Sequence, residues 1–124
     1  MPPSSKVAER KPESFLPLSN ANLHILLTLA DGERHGYAIM QEVREATEDA
    51  IRLGPGTLYR CLQALLEEDL LEELGRRIPA AEDERRRYYR LTALGRRVLV
   101  AESKRLAGVV ALAKAKRVLQ RVPG

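Results

Sequence analysis

The sequence predicts a mainly α fold carrying one small β-hairpin, an α+β architecture, and three observations point there. Apolar residues recur at helical spacing in three short stretches before residue 70, an arginine-rich alternating stretch follows, and the remainder is helical again. The composition agrees: 44% of the 124 residues are hydrophobic, yet aromatics number one Phe and four Tyr with no Trp, so Leu, Val, Ile and Ala must fill the interior. A chain of this length buries one real core and is short for two independent domains.

The first stretch, residues 1–17, has prolines at positions 2, 3, 12 and 17 with charges between them and lacks the apolar centre of a signal peptide. It reads as a flexible arm. Ser19 then caps a helix over about 19–31, with Leu23, Ile25, Leu26, Leu27 and Leu29 inside it and Asp31-Gly32 as its stop. A second, amphipathic helix runs from Gly36 to about Thr47, with Tyr37, Ile39, Met40 and Val43 on its apolar face.

Gly54-Pro55-Gly56-Thr57 opens a third helix, because proline suits a first-turn position whose amide has no intrahelical partner. Leu58, Leu62, Leu65 and Leu66 form its inner stripe, which leaves Gly56, Thr57, Arg60, Gln63 and Glu67 facing out. From Leu70 to Ile78 and from Arg85 to Leu91 the pattern fits two strands of a hairpin with a polar tip, Pro79 to Glu84. Tyr89 and Leu91 share one face of the second strand, Tyr88 and Arg90 the other. Thr92 caps a last helix over about 93–120, ended by Pro123-Gly124.

Three helices and a two-stranded wing, residues 18–92, make a complete winged helix-turn-helix, which leaves the helix of residues 93–124 without cover. Its segment 106–113 is apolar nearly all round, more than one neighbouring surface covers. A second copy of the chain is the natural partner, through Leu99, Leu106, Val109, Val110, Leu112 and Ala113.

Charge alone does not argue for nucleic acid. The net +4 divides into +1 for residues 1–17, −5 for 18–69, +1 for 70–92 and +7 for 93–124. Phosphate contacts supply most non-specific affinity for DNA, so a −5 core needs well-placed cations or help from wing and tail. The +7 helix pairing with the acidic helices of a twin subunit would explain both charges at once.

Helix geometry points to nucleic acid more strongly than charge does. A helix fits the major groove and its first turns reach base edges. The third helix is the candidate: Gly56 and Thr57 allow phosphate to approach free amides at the positive end of the helix dipole, and Arg60 and Gln63 follow one turn on. The same Gly-Pro-Gly-Thr is equally well a tight turn and cap. Arg76, Arg77, Arg85, Arg86 and Arg87 flank the wing as a guanidinium cluster suited to phosphate or a narrow minor groove, although Glu82, Asp83 and Glu84 at the tip also fit a plain solvated face.

His24 and His35 have no second ligand at metal-binding spacing, and no nucleophile-base pair or phosphate-cradling glycine loop is present. Neither metal, cofactor nor enzyme chemistry is expected. A single cysteine, Cys61, and no apolar run near the roughly 20 residues of a membrane span fit a cytoplasmic protein.

From Leu18 to about Glu102 the chain resembles the PadR family of bacterial transcriptional regulators. The resemblance lies in His35-Gly36-Tyr37, Pro55-Gly56-Thr57-Leu58-Tyr59, Leu70-Leu71-Glu72, and Arg87-Tyr88-Tyr89-Arg90-Leu91-Thr92 followed by Leu94-Gly95, in that order and spacing. It implies a winged helix-turn-helix with one C-terminal dimerisation helix, usually a repressor released by a small molecule. It further implies DNA contacts at Tyr37, Thr57, Tyr59 and Arg60, and structural roles for Tyr89, Leu91 and Thr92. Two departures matter: Asp69 stands where the family often has glycine, and without Trp the tryptophan sandwich by which some relatives hold planar drugs is missing.

The reading is therefore a homodimer with recognition helices in successive major grooves, about 34 Å apart, on a pseudo-palindromic operator. A winged-helix interaction module that binds no DNA is the alternative, and a ligand-sensing enzyme subunit a third reading.

Overall fold

Local capping chemistry places the elements. In the computed structural model, described over residues 10–74 and 87–120, the Ser19 hydroxyl accepts the Asn22 amide at 3.0 Å and starts α1, Asn20–Thr28, which tightens into a 3-10 turn, Leu29–Asp31. Strand β1, Arg34–His35, leads directly into α2, Gly36–Ala46. The His35 imidazole caps α2, with Nδ1 accepting the Ala38 amide at 3.2 Å. Helix α3, Pro55–Glu67, starts from Gly54 with proline in its first turn. Strands β2, Leu71–Leu74, and β3, Tyr88–Leu91, precede α4, Ala93–Ala115, which Thr92 caps by accepting the Gly95 amide at 2.9 Å.

Among the described residues the sheet has three strands, where the sequence predicts two. β3 is central and antiparallel to both neighbours, with Arg34 opposite Tyr89 on one side and Glu73 opposite Tyr89 on the other. The β1 pairing places His35 edge-on to Tyr88, ring centroids 5.5 Å apart. It thereby ties the start of α2 to the wing. Of the expected strands Leu70–Ile78 and Arg85–Leu91, the described parts are strands at 71–74 and 88–91; the hairpin tip lies outside the described residues.

One core holds the fold: Ile25, Leu26 and Leu29 from the first helical segment, Ile39 and Val43 from α2, Leu58, Leu62 and Leu65 from α3, Leu70, Leu71 and Tyr89 from the sheet, and Leu94, Val98 and Leu99 from α4. Each such side chain contributes roughly 1.5–3 kcal/mol by leaving water. The inner stripe expected of α3 is present, with Leu66 at its half-buried edge. Tyr37, grouped by periodicity with the apolar face of α2, is instead 55% exposed.

Three helices close without glycine. After α2, α3 and α4 the chain passes through Glu48, Asp69 and Arg117 at φ 50°, 66° and 62°. In each case the next amide returns to the carbonyl five residues back: Asp49 to Arg44, Leu70 to Leu65, Val118 to Ala113. These paired bonds are the Schellman closure. At Arg117 it ends α4 at Ala115, short of the position near 120 expected from Pro123-Gly124.

The segment taken as a flexible arm differs over its described part. Pro12–Phe15 forms a 3-10 turn, Phe15, Leu16 and Leu18 pack against the core, and the Arg10 guanidinium lies over the Phe15 ring at 4.7 Å. The Leu18 amide donates to Glu102 Oε2 at 2.9 Å. Glu102 is 1% exposed and is gripped by Arg105, whose Nε donates to Oε1 at 2.6 Å. That hydrogen bond, assisted by Leu18 and opposed by desolvation, lowers the carboxyl below its ordinary range.

Candidate nucleic-acid interface

The burial of α3 decides what its other face offers. Leu58, Leu62 and Leu65 are at most 1% exposed. The 3.6-residue period then turns Gly56, Thr57, Arg60, Gln63 and Glu67 outward, and all five are exposed. Arg60 Nη2 lies 3.4 Å from Thr57 Oγ1, and Gln63 Nε2 donates to Glu67 Oε2 at 3.3 Å. Both bonds are exposed and long, so both side chains exchange them readily for a new acceptor. Beyond Pro55, the first turn presents the unpaired amides of Gly56 and Thr57 at the positive helix end.

Tyr59 and Tyr37 flank this face. Tyr59 is 37% exposed, and its phenol lies against the Gly36 backbone so tightly that a Cβ there would stand 2.6 Å from Oη. A residue expected only to touch DNA thus also fixes the spacing of α2 and α3. The Tyr37 hydroxyl accepts from Gln41 Nε2 at 3.2 Å beside it. Sequence reading named neither Gln41 nor His35 for the site: histidine lies outside the usual Ser, Thr, Asp and Asn caps, and Gln41 reads as one more solvated residue.

On the wing, Arg90 places Nε and Nη2 on Glu72 Oε1 at 3.1 and 2.9 Å, and Arg87 stands 3.5 Å from Glu73. Both pairs are exposed and worth at most about 1 kcal/mol, so Arg87 remains available to an anion. Arg76, Arg77, Arg85 and Arg86 lie outside the described residues. Between α3 and the wing, Tyr59, Gln63, Glu73, Arg87 and Tyr89 line a cleft of about 430 Å³. Burial first, then the Glu73 carboxylate, pushes the Tyr89 phenol up to about 12.

Among the residues named for self-association, Leu99 is only 6% exposed and belongs to the core of its own chain. Leu106 and Ala113 are half-buried, whereas Val109, Val110 and Leu112 are 52%, 42% and 57% exposed. Every residue from 107 to 112 is exposed. Val100, 46% exposed, was not named; it precedes Val109 by nine residues, two and a half turns, and so lies on the opposite face of α4. Among the described residues no group of three His, Cys, Asp or Glu could hold a metal, and no helix is long and apolar enough to cross a membrane.

Helices packed at right spacing, an outward third helix and a small antiparallel sheet beside it define a winged-helix protein. Residues 25–101 match the Transcriptional regulator PadR-like family, and the chain belongs to that family. It is 37% identical over 84 residues to the transcriptional regulator Rv3488 of Mycobacterium tuberculosis, covering 68% of this chain and 73% of that protein. It is also 36% identical over 89 residues to an uncharacterized 37.1 kDa protein in transposon TN4556 of Streptomyces fradiae, 72% of this chain but 24% of that relative, about a quarter of its length. A PadR family transcription regulator from Clostridium difficile shares the fold with a TM-score of 0.65 at 23% identity, over 78% of this chain and 97% of that one. The family to which the chain belongs is one of transcriptional regulators.

Proposed function

We propose that the protein is a sequence-specific, DNA-binding repressor that acts in the cytoplasm as a homodimer and is released by a small molecule or another signal. The observation that carries the reading is the outer face of α3, where Gly56, Thr57, Arg60 and Gln63 stand exposed on a helix whose opposite stripe is closed from water. Free amides at its N-terminus suit a phosphate, and Arg60 and Gln63 suit base edges. Tyr37, Tyr59 and the wing arginines, Arg87 among them, would flank the duplex. The repressor role and the release by a signal rest on likeness to the family.

Dimerisation is supported by the exposed apolar residues Val109, Val110 and Leu112, spread round a part of α4 that runs beyond the core, with Leu106 and Ala113 half-buried among them. Two such helices would set the α3 pair about one DNA turn apart, for a pseudo-palindromic operator. Residues 18–92 would then be the DNA-binding unit and residues 93–124 the dimerisation helix.

Chromatography on random-sequence duplex DNA, with the mass followed by sedimentation, tests both parts. A dimer retained at low salt and eluted as salt rises is the expected result. An unretained chain favours an interaction module, which the −5 charge of residues 18–69 would suit.

A further inference from the structure

We propose that the cavity between α2 and α3 is a binding site for a small, flat, uncharged aromatic ligand, and that this ligand excludes DNA. The cavity has a volume of about 750 Å³, within the roughly 300–1,000 Å³ of small-molecule sites. His35, Tyr37, Met40 and Gln41 on the α2 side and Pro55 and Tyr59 on the α3 side line it.

The lining sets the chemistry. In a chain with 31% charged residues, no Asp, Glu, Lys or Arg lines this cavity. A carboxylate or ammonium brought in would lose water without gaining a partner of opposite charge. Two phenol rings, an imidazole, a proline ring and a thioether instead offer flat, polarisable surfaces to an aromatic guest. Tyr37 is 55% exposed, a large apolar ring that the core does not use.

Gln41 supplies a polar handle. Gln41 donates one amide hydrogen to Tyr37 Oη at 3.2 Å, which leaves its carbonyl oxygen to accept an N–H or O–H from the guest. On the far wall the Tyr59 ring is backed by the Gly36 backbone, which leaves no room for a Cβ between them.

The competition with DNA rests on the function proposed above. Tyr37, Pro55 and Tyr59 border both the cavity and the outward start of α3. A ring stacked on Tyr37 would stand where the duplex must approach, and no longer-range conformational change is needed.

Besides Met1, Met40 is the chain's only methionine, so protein labelled with 13C at the methionine methyl groups reports the cavity directly. Titration of the full chain with indole is expected to move the Met40 signal saturably, and indole-3-acetate and tryptamine, the same ring with a charge of either sign, to bind more weakly. Tyr37→Ala, at an exposed position, should weaken indole binding by roughly tenfold. A motionless Met40 signal would overturn the site, and tighter binding of either charged analogue would overturn the ligand class. Indole should lower affinity for duplex DNA; a ternary complex of unchanged affinity would overturn the competition. A chain that binds indole but no DNA would leave the site standing and defeat the proposed function.

Discussion

Gly95 in the first turn of α4 lies directly on the carbonyl of Leu70, so close that a Cβ at Gly95 would collide with that backbone oxygen. The contact joins two helix ends. Thr92 Oγ1 donates to Asp69 O at 2.6 Å and accepts from Gly95 N, while the Thr92 amide donates to Leu70 O at 3.1 Å. The end of α3, the start of the wing and the start of α4 are thereby one joint. Gly95→Ala should destabilise the fold by about 3 kcal/mol, because the atom in the way is backbone and cannot step aside. Gly108→Ala, with nothing within 4 Å, should stabilise by up to about 1 kcal/mol through helix propensity. Urea denaturation of both variants checks this, and equal effects would refute the close approach.

The same joint contains Asp69 at φ 66°. A left-handed residue with a Cβ carries strain of order 1 kcal/mol, somewhat less for aspartate, and glycine carries none. Asp69→Gly should therefore raise stability by roughly 0.5 kcal/mol after the greater freedom of the unfolded chain is subtracted. Glu48→Gly, after α2, should gain at least as much, since glutamate tolerates φ 50° less well. Thermal melts of the two variants measure the difference.

Glu102 makes stability depend on acid. Its folded carboxyl is held below the ordinary value of 4.5, chiefly by the Arg105 hydrogen bond and further by the Leu18 amide. A group lowered in the folded state adds stability that is fully present above the unfolded value and disappears as pH falls through the folded one. Stability should drop below about pH 4.5, and more shallowly in Glu102→Gln, which has no charge to lose. Parallel denaturation series from pH 6 to pH 3 make the comparison; superimposable slopes would show that Glu102 is not the linked group.

Much of this was legible in the sequence because it is local. Ser19, Thr92 and Gly54-Pro55 announce helix starts through chemistry confined to one turn, and the stripe of Leu58, Leu62 and Leu65 fixes the outward face of α3 by period alone. The strand β1 was not legible: two residues, Arg34 and His35, cannot show alternation, and their pairing with β3 spans more than fifty positions of chain. The end of α4 was missed because Arg117 adopts a conformation usually read from glycine. Leu99 was assigned to a partner because periodicity cannot tell a neighbour in the same chain from a second copy. Tyr37 was ambiguous for a related reason, since an aromatic at core spacing serves equally well at a surface site.

The decisive measurement is fluorescence anisotropy with a duplex selected from random DNA by the protein itself, comparing the wild-type chain with Arg60→Ala. Arg60 is exposed and, among the described residues, its side chain makes just the long hydrogen bond to Thr57, so folding should be intact, as circular dichroism would verify. Affinity is expected to fall by about 1–3 kcal/mol, a factor of roughly 5–150, if Arg60 reads a base. Undiminished affinity in the folded variant would contradict the placement of α3 against DNA.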